Sequence, residues 1–543
     1  MLAALATVLT LSAAPVTSPG FPAPRLTLFI TVDALGTDVL LRNRAHFRSG
    51  LQRLLSKGAF FPNARYEQAE TVTATGHAIL STGAYPWRTG VVGNRTVNRA
   101  TGKAESIYTD PGHPVLEATR GSGDTSPERL MSETLSDRLR MFTQGRGKAL
   151  AIAAKGRAAI GQAGRLGTPW WFSEEVGKFV TGTYYAKEFP AWVKAFNEKK
   201  IPDGYFGTQW DLLLPATEYV GEDERSFERD WAGLGRTFPH PLSGGLAAPG
   251  AKSREALQTS PMMGDVLVQF AKAAMDGEHL GQDTVPDVLF VSFSPIDRVY
   301  HEYGPFSWEL QDALARLDRS IGELVTAAEK AAGGNQNLLV VLAADHGGAA
   351  VPEEWLAAGM PGRRVAPKEL AVTLNEALAK KFGAPLCLGI EGIDVYLDAK
   401  TIEAKKLPGP EVRRFAAQWL ETQGQALVAV ARDDLNAADE RLGYARALRL
   451  SYYPERSGDV LMVQRPFSVL AEEEATAHGQ PFAYDAQIPV LFSGRGVKPG
   501  FYPVEIHPVD VAPTVTTLWG MGYPAQCEGV PRAEAISGSF GVK

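Results

Sequence analysis

Five short apolar runs recur along the chain, each bounded by polar, glycine or proline residues. They are LTLFITV at 26–32, ALAIAA at 149–154, VLFVSF at 288–293, LLVVLAA at 338–344 and IPVLFS at 488–493. Runs of this length read as strands buried on both faces, and such strands belong to parallel sheets covered by helices. Segments of helical periodicity at about 307–331, 364–384 and 410–424 lie among them. The pattern predicts an α/β fold with a doubly wound, mostly parallel sheet flanked by helices. The 543 residues suffice for one large domain of this kind. We expect it to span 21–543, with cap elements inserted at about 156–285, a stretch rich in Trp, Gly and Pro, and at about 350–475.

Composition narrows the partners. Lys and Arg number 55 against 61 Asp and Glu, and no basic run occurs, so nothing points to nucleic acid. A mildly acidic protein that handles phosphate must gather its positive charge locally. Two cysteines, Cys387 and Cys527, cannot build a metal cage, so any metal here relies on His and carboxylate. Whether they are bridged stays open at this stage. Residues 2–14 are small and apolar, with Ser12-Ala13-Ala14 as a cleavage region, though no Lys or Arg precedes them. That reads as a signal peptide and leader over 1–20, and as export to the periplasm or beyond the cell. The run is too short to anchor the chain in a bilayer.

The strand ends carry the chemistry. Asp33 closes the first run, Asp297 and His301 follow the third in SPIDRVYHEYG, and Asp345-His346 follow the fourth in AADHGG. Open α/β sheets bind ligands outside the carboxyl ends of their strands. Asp297 and His301 are four apart, which on a helix puts both on one face. His478 in HGQP adds a third imidazole. With a threonine from ETVTATGHA, the donors are three carboxylates, three imidazoles and one hydroxyl. Two zinc ions would each take three such ligands and keep a position open. A pair of metal ions can clamp the attacking and leaving oxygens of a phosphoryl transfer. Residue chemistry alone leaves Thr71, Thr73 and Thr75 as alternatives, and each could simply cap a helix. His77 reads as structural. Lys155 and Arg157 follow the second run; in an extended segment they would share one side, where Arg grips two phosphate oxygens.

In this order the motifs resemble the alkaline phosphatase superfamily, above all the bacterial threonine-nucleophile, phosphate-irrepressible alkaline phosphatases. VDALGTD, TVTATGHAILSTG, GVVGN, AAKGRAAI, SPIDRVYHEYG, VVLAADHGG, YYPERSGDVLM and HGQPFAYDAQIPVLF carry the resemblance over nearly the whole chain. It implies that Thr73 is the nucleophile and a zinc ligand, with a phospho-threonine intermediate. Asn94, Lys155 and Arg157 would contact the phosphoryl oxygens. Asp297, His301 and His478 would hold one zinc; Asp33, Asp345 and His346 would hold the other, beside Thr73. The implied substrates are small phosphate monoesters, with inorganic phosphate as product, and the implied state is a monomer. Related nucleotide pyrophosphatase/phosphodiesterases share the ligands, the Thr and the Asn but lack the Lys-x-Arg pair. They are the alternative reading, ahead of a secreted scaffold that has lost catalysis.

Overall fold

The computed structural model describes residues 22–118, 123–437 and 443–538. The leader expected at 1–20 lies outside them. Nine strands form the main sheet: β1 Leu26–Val32, β2 Ala59–Arg65, β3 Ala149–Ala153, β4 Thr168–Ser173, β5 Lys178–Val180, β6 Asp287–Phe293, β7 Leu338–Ala344, β8 Gln487–Gly494 and β9 Gly500–Phe501. Their order across the sheet is β9-β2-β8-β7-β1-β6-β3-β4-β5. The five central strands β7-β1-β6-β3-β4 are parallel. Every residue of β1, β6 and β7 is buried, as their unbroken apolar character requires.

β8 departs from expectation. It reads as one more parallel strand, yet it pairs antiparallel with both β7 and β2. An apolar run buried on both faces looks the same in either direction, so the sequence does not encode its sense.

The helices that matter for the site are α1 Thr73–Thr82, α2 Gly156–Ala163, α3 Met262–Gly277, α4 Pro295–Tyr303 and α5 Trp308–Ala331. The hydroxyl of Ser307 caps α5 by accepting from the Leu310 N–H at 3.1 Å. Residues 156–285 do two things: β4 and β5 extend the main sheet, and α3 joins an aromatic layer in which Phe270 stacks on Phe179. Within 350–475, helices α6 Pro367–Phe382 and α7 Gly409–Thr422 pack on a separate sheet of four strands, Cys387–Glu391, Asp394–Leu397, Val460–Gln464 and Ala426–Ala431. This accessory layer has its own apolar core around Leu374, Leu378, Val412 and Leu420. Cys387 and Cys527 are free thiols. No helix among the described residues is long and apolar enough to cross a membrane.

Candidate active site

Register brings the site together. Val32 pairs with Phe293 on one side and with Ala344 on the other, so β1, β6 and β7 end in one row. Asp33 and Asp345 each stand one residue past that row. Behind Asp33 the chain turns through Ala34 at φ 60, a left-handed conformation costly for a residue with a Cβ. The turn directs the Ala34 N–H to Asp345 Oδ1 at 3.2 Å. Helix α1 approaches Asp345 so closely that a Cβ on Gly76 would lie 2.0 Å from its carbonyl oxygen.

Asp297 and His301 lie one turn apart on α4, with His301 Nε2 3.3 Å from Asp297 Oδ1. His478 Nε2 is 3.4 Å from the same oxygen, and His346 Nε2 is 3.3 Å from Asp33 Oδ1. The three imidazoles are held alike. Nδ1 of His301, His346 and His478 donates to the carbonyls of Thr476, Gly347 and Thr71 at 2.8–2.9 Å. In the neutral ring each Nε2 is thereby left as the lone-pair nitrogen, the arrangement a metal ligand needs.

The ligand atoms of Asp33, Asp345 and His346 lie within 4.8 Å of one another, as do those of Asp297, His346 and His478. His346 thus belongs to both groups, because its ring stacks on His478 with centroids 3.6 Å apart. His301 stands just beside the second group rather than inside it.

Five atoms test whether metal fits. Asp33 Oδ1, Asp297 Oδ1, Asp345 Oδ2, His346 Nε2 and Thr73 Oγ1 are buried without a hydrogen-bond partner among the described residues. Other unpartnered buried atoms are scattered over the described residues, whereas four of these come from the two adjoining Asp/His groups. The four Asp and His atoms fall in the two groups above and all are metal donors, so these residues fit a pair of cations; Thr73 opens α1, the helix packed against Asp345. The neighbouring threonines are occupied: Thr71 Oγ1 donates to Gln480 O at 2.9 Å and Thr75 Oγ1 to Val72 O at 2.8 Å. His77 is also committed, to Thr73 O through Nδ1 and to Ser292 Oγ through Nε2.

Lys155 joins the two halves. Its Nζ is 2.7 Å from Asp33 Oδ2 and also donates to Asp297 Oδ2. The expected extended segment is not what holds it: α2 begins at Gly156, so Lys155 is the residue before the helix and Arg157 lies in its first turn. The two still line one cleft with Asp124, whose Oδ2 accepts the Arg157 N–H at 3.1 Å. Asn94 Oδ1 accepts the Ala74 N–H at 2.9 Å, which leaves the Asn94 amide NH2 as a free donor beside Thr73.

Charge differs sharply between neighbours in the metal-free protein. Burial opposes ionisation of Asp33 and Asp297, but Lys155 and the imidazoles outweigh it and hold both below the usual carboxylate range. Burial and the charge of Asp33 push Asp345 well above it. Burial pulls His346 down, yet Asp345 and Asp33 raise it to about 9. Burial and repulsion from His346 lower His478 to about 4.

Sequence reasoning did not single out Asp485, which ties the site together. Its Oδ2 accepts the N–H groups of Gly479 and Gln480 at 3.1 and 2.9 Å, fixing the loop of His478. Its own carbonyl accepts the Gly347 N–H at 2.7 Å, fixing the loop of His346. The only available signal was a lone acid in HGQPFAYD, and nothing local marks it out.

A family model for type I phosphodiesterase / nucleotide pyrophosphatase matches residues 27–483. Alkaline phosphatase PafA of Elizabethkingia meningoseptica is 32% identical over 525 residues, 95% of either chain. A Myroides odoratus protein named as a calcium-transporting ATPase is 31% identical over 524 residues, 94% of this chain and 95% of that one. Alkaline phosphatase PhoV of Synechococcus elongatus is 30% identical over 507 residues, 92% of this chain and 91% of that one. Two PafA crystal structures match with TM-scores of 0.87 and 0.89, each 30% identical, covering 95% of this chain and 100% of theirs. The second carries replacements of a threonine, an asparagine, a lysine and an arginine. The chain belongs to the type I phosphodiesterase/nucleotide pyrophosphatase family of the alkaline phosphatase superfamily.

Proposed function

We propose that this protein is a secreted, zinc-dependent alkaline phosphatase that hydrolyses small phosphate monoesters through a phospho-threonine intermediate. The observation that carries this reading is the set of four unpartnered Asp and His atoms in two neighbouring groups, together with the unpartnered Thr73 Oγ1 and with Lys155 between the groups. Asp33, Asp345 and His346 would hold one zinc with Thr73, and Asp297, His301 and His478 the other. When bound, the two ions supply Lewis acidity, stabilising charge on the attacking and leaving oxygens and lowering the pKa of coordinated water.

The chain's own residues do the rest. Thr73 Oγ1 stands at the first turn of α1, where the helix dipole favours an incoming anion. It gives up its proton and attacks phosphorus in line, and the ester oxygen departs on the opposite side and takes up a proton to leave as the alcohol. The Asn94 amide donates to a non-bridging oxygen, Arg157 grips the phosphoryl group and Lys155 adds a point charge. Water then attacks the phospho-threonine, releasing inorganic phosphate and restoring the hydroxyl. The four residue types replaced in the PafA variant are those given roles here: Thr, Asn, Lys and Arg. Export rests on the apolar leader of the sequence, and a monomer on the resemblance.

The family description favours a second reading, a phosphodiesterase or nucleotide pyrophosphatase. Lys155 and Arg157 argue for monoesters, whose phosphoryl group bears one more negative charge and three oxygens free of carbon where a diester has two. The test is kcat/KM of the zinc-loaded protein on p-nitrophenyl phosphate and bis-p-nitrophenyl phosphate. We expect a strong monoester preference that collapses in the Lys155→Ala/Arg157→Ala variant, by roughly a hundredfold if each lost contact counts as a charged hydrogen bond. A diester preference, or equal losses on both substrates, would move the protein to the second reading.

A further inference from the structure

A larger cleft, of about 670 Å³, opens beside Asn94, His301 and His478, whereas the one at Lys155 and Arg157 measures about 220 Å³. Sites for small organic ligands typically occupy a few hundred to about a thousand Å³. The walls of the larger cleft come from outside the main sheet. Val97 belongs to the hairpin Arg95–Asn98 and Lys103–Ser106; Leu388 and Ile390 belong to the first strand of the accessory sheet; Leu470 faces them. The contact between these walls is close, since a Cβ on Gly389 would touch Val97 Cγ2 at 3.5 Å.

Acids outnumber bases along it. Glu391, Glu472 and Glu474 stand against Arg95 and Lys368, and a fourth acid, Glu70, is buried, which pushes its carboxyl well above the usual range. Both cations already have acidic neighbours: Arg95 Nε is 3.9 Å from Glu391, and Lys368 Nζ is 3.7 Å from Glu472. Neither Arg95 nor Lys368 is therefore a free counter-ion for an incoming anion. At the smaller cleft Lys155 and Arg157 stand beside Arg298, which pairs with Glu174 at 3.0 Å, and beside Asp124 and Glu175.

Resting on the phosphatase reading above, we propose that the larger cleft receives the organic group of the ester and selects neutral or cationic apolar groups over groups carrying further negative charge. The leaving oxygen faces Asp297, His301 and His478, two of which form the floor of this cleft. An apolar group is covered by Val97, Leu388, Ile390 and Leu470, and a second anion meets carboxylates in a partly desolvated space.

Three esters with one phosphoryl group and phenols of comparable acidity test it: phenyl phosphate, 4-carboxyphenyl phosphate and 4-(aminomethyl)phenyl phosphate. The measurement is kcat/KM on the zinc-loaded protein at low salt. We expect the carboxylated ester to be about tenfold poorer than phenyl phosphate, and the cationic one at least equal to it. Glu391→Gln with Glu472→Gln should shrink that gap to about two- or threefold. Val97→Asn, which adds polarity without charge, should weaken turnover of phenyl phosphate by about fivefold while leaving inhibition by inorganic phosphate unchanged, because phosphate does not reach the walls. A carboxylated ester turned over as well as phenyl phosphate, or a gap unmoved in the glutamine variant, would overturn the proposal. Turnover of none of the three would overturn the phosphatase reading itself, and the cleft assignment with it.

Discussion

The two groups of candidate ligands differ in how they are built. Asp33, Asp345 and His346 are closed to solvent, whereas the His301 and His478 side chains keep 23% and 6% of their exposure. Asp33 and Asp345 follow adjacent parallel strands in register, so the sheet fixes their spacing. Asp297 and His301 ride on a helix, and His478 on a loop that hydrogen bonds must hold: His478 to Thr71, Gln480 to Thr71, and Gly479 and Gln480 to Asp485. One half is made by the sheet, and the other is fastened to it. The more open half is also the one facing the larger cleft, where an organic group has to enter and leave.

The sharpest way to break this comparison is at Thr73, which the proposed mechanism places with the closed half. Thr73→Ala should lower turnover of p-nitrophenyl phosphate by about a thousandfold or more. Zinc content measured on the same sample should stay unchanged, since six other donors remain. Retained turnover would show that another group attacks phosphorus.

A smaller effect is expected at Asp485. Asp485→Ala frees the His478 loop and should weaken zinc at the proposed Asp297/His301/His478 site by roughly ten- to a hundredfold in a chelator-competition titration. Zinc at the proposed Asp33/Asp345/His346 site should change little, and Asp485→Asn should recover part of the loss by keeping one acceptor. Equal weakening of both ions would mean that the halves are not separately built.

The smallest effect concerns protons. In metal-free protein His346 is raised from 6.5 to about 9. The folded state then holds a proton that the unfolded state has released between these values, so this contribution to stability is full below pH 6.5 and is lost as pH rises through 9. Melting temperatures of chelator-treated protein should fall across that window, and His346→Gln should flatten the fall. His478, lowered to about 4, is already neutral there and should contribute no slope.

Much of this was legible in the chain. The apolar runs at 26–32 and 338–344 are β1 and β7 to the residue, and the periodicity over 307–331 is α5, Trp308–Ala331. Local composition determines such elements because burial and repeat are local properties. The acids one residue past those runs could be found because a strand end defines an edge. Direction was not legible, so β8 reads as parallel and runs antiparallel. The helix start at Gly156 was also hidden, and with it the way Lys155 reaches Asp33 and Asp297.

What the sequence determined by itself was therefore the strands, the helices and the inventory of donors, since each depends on residues near one another in the chain. What only tertiary structure decided was partnership. Thr71 and Thr75 have hydrogen bonds and Thr73 does not; His346 stacks on His478; Asp485 holds two loops at once. Thr71 with Gln480, His346 with His478 and Gly347 with Asp485 each join residues more than a hundred positions apart, and their meeting is set by sheet register and hydrogen-bond geometry rather than by local propensity.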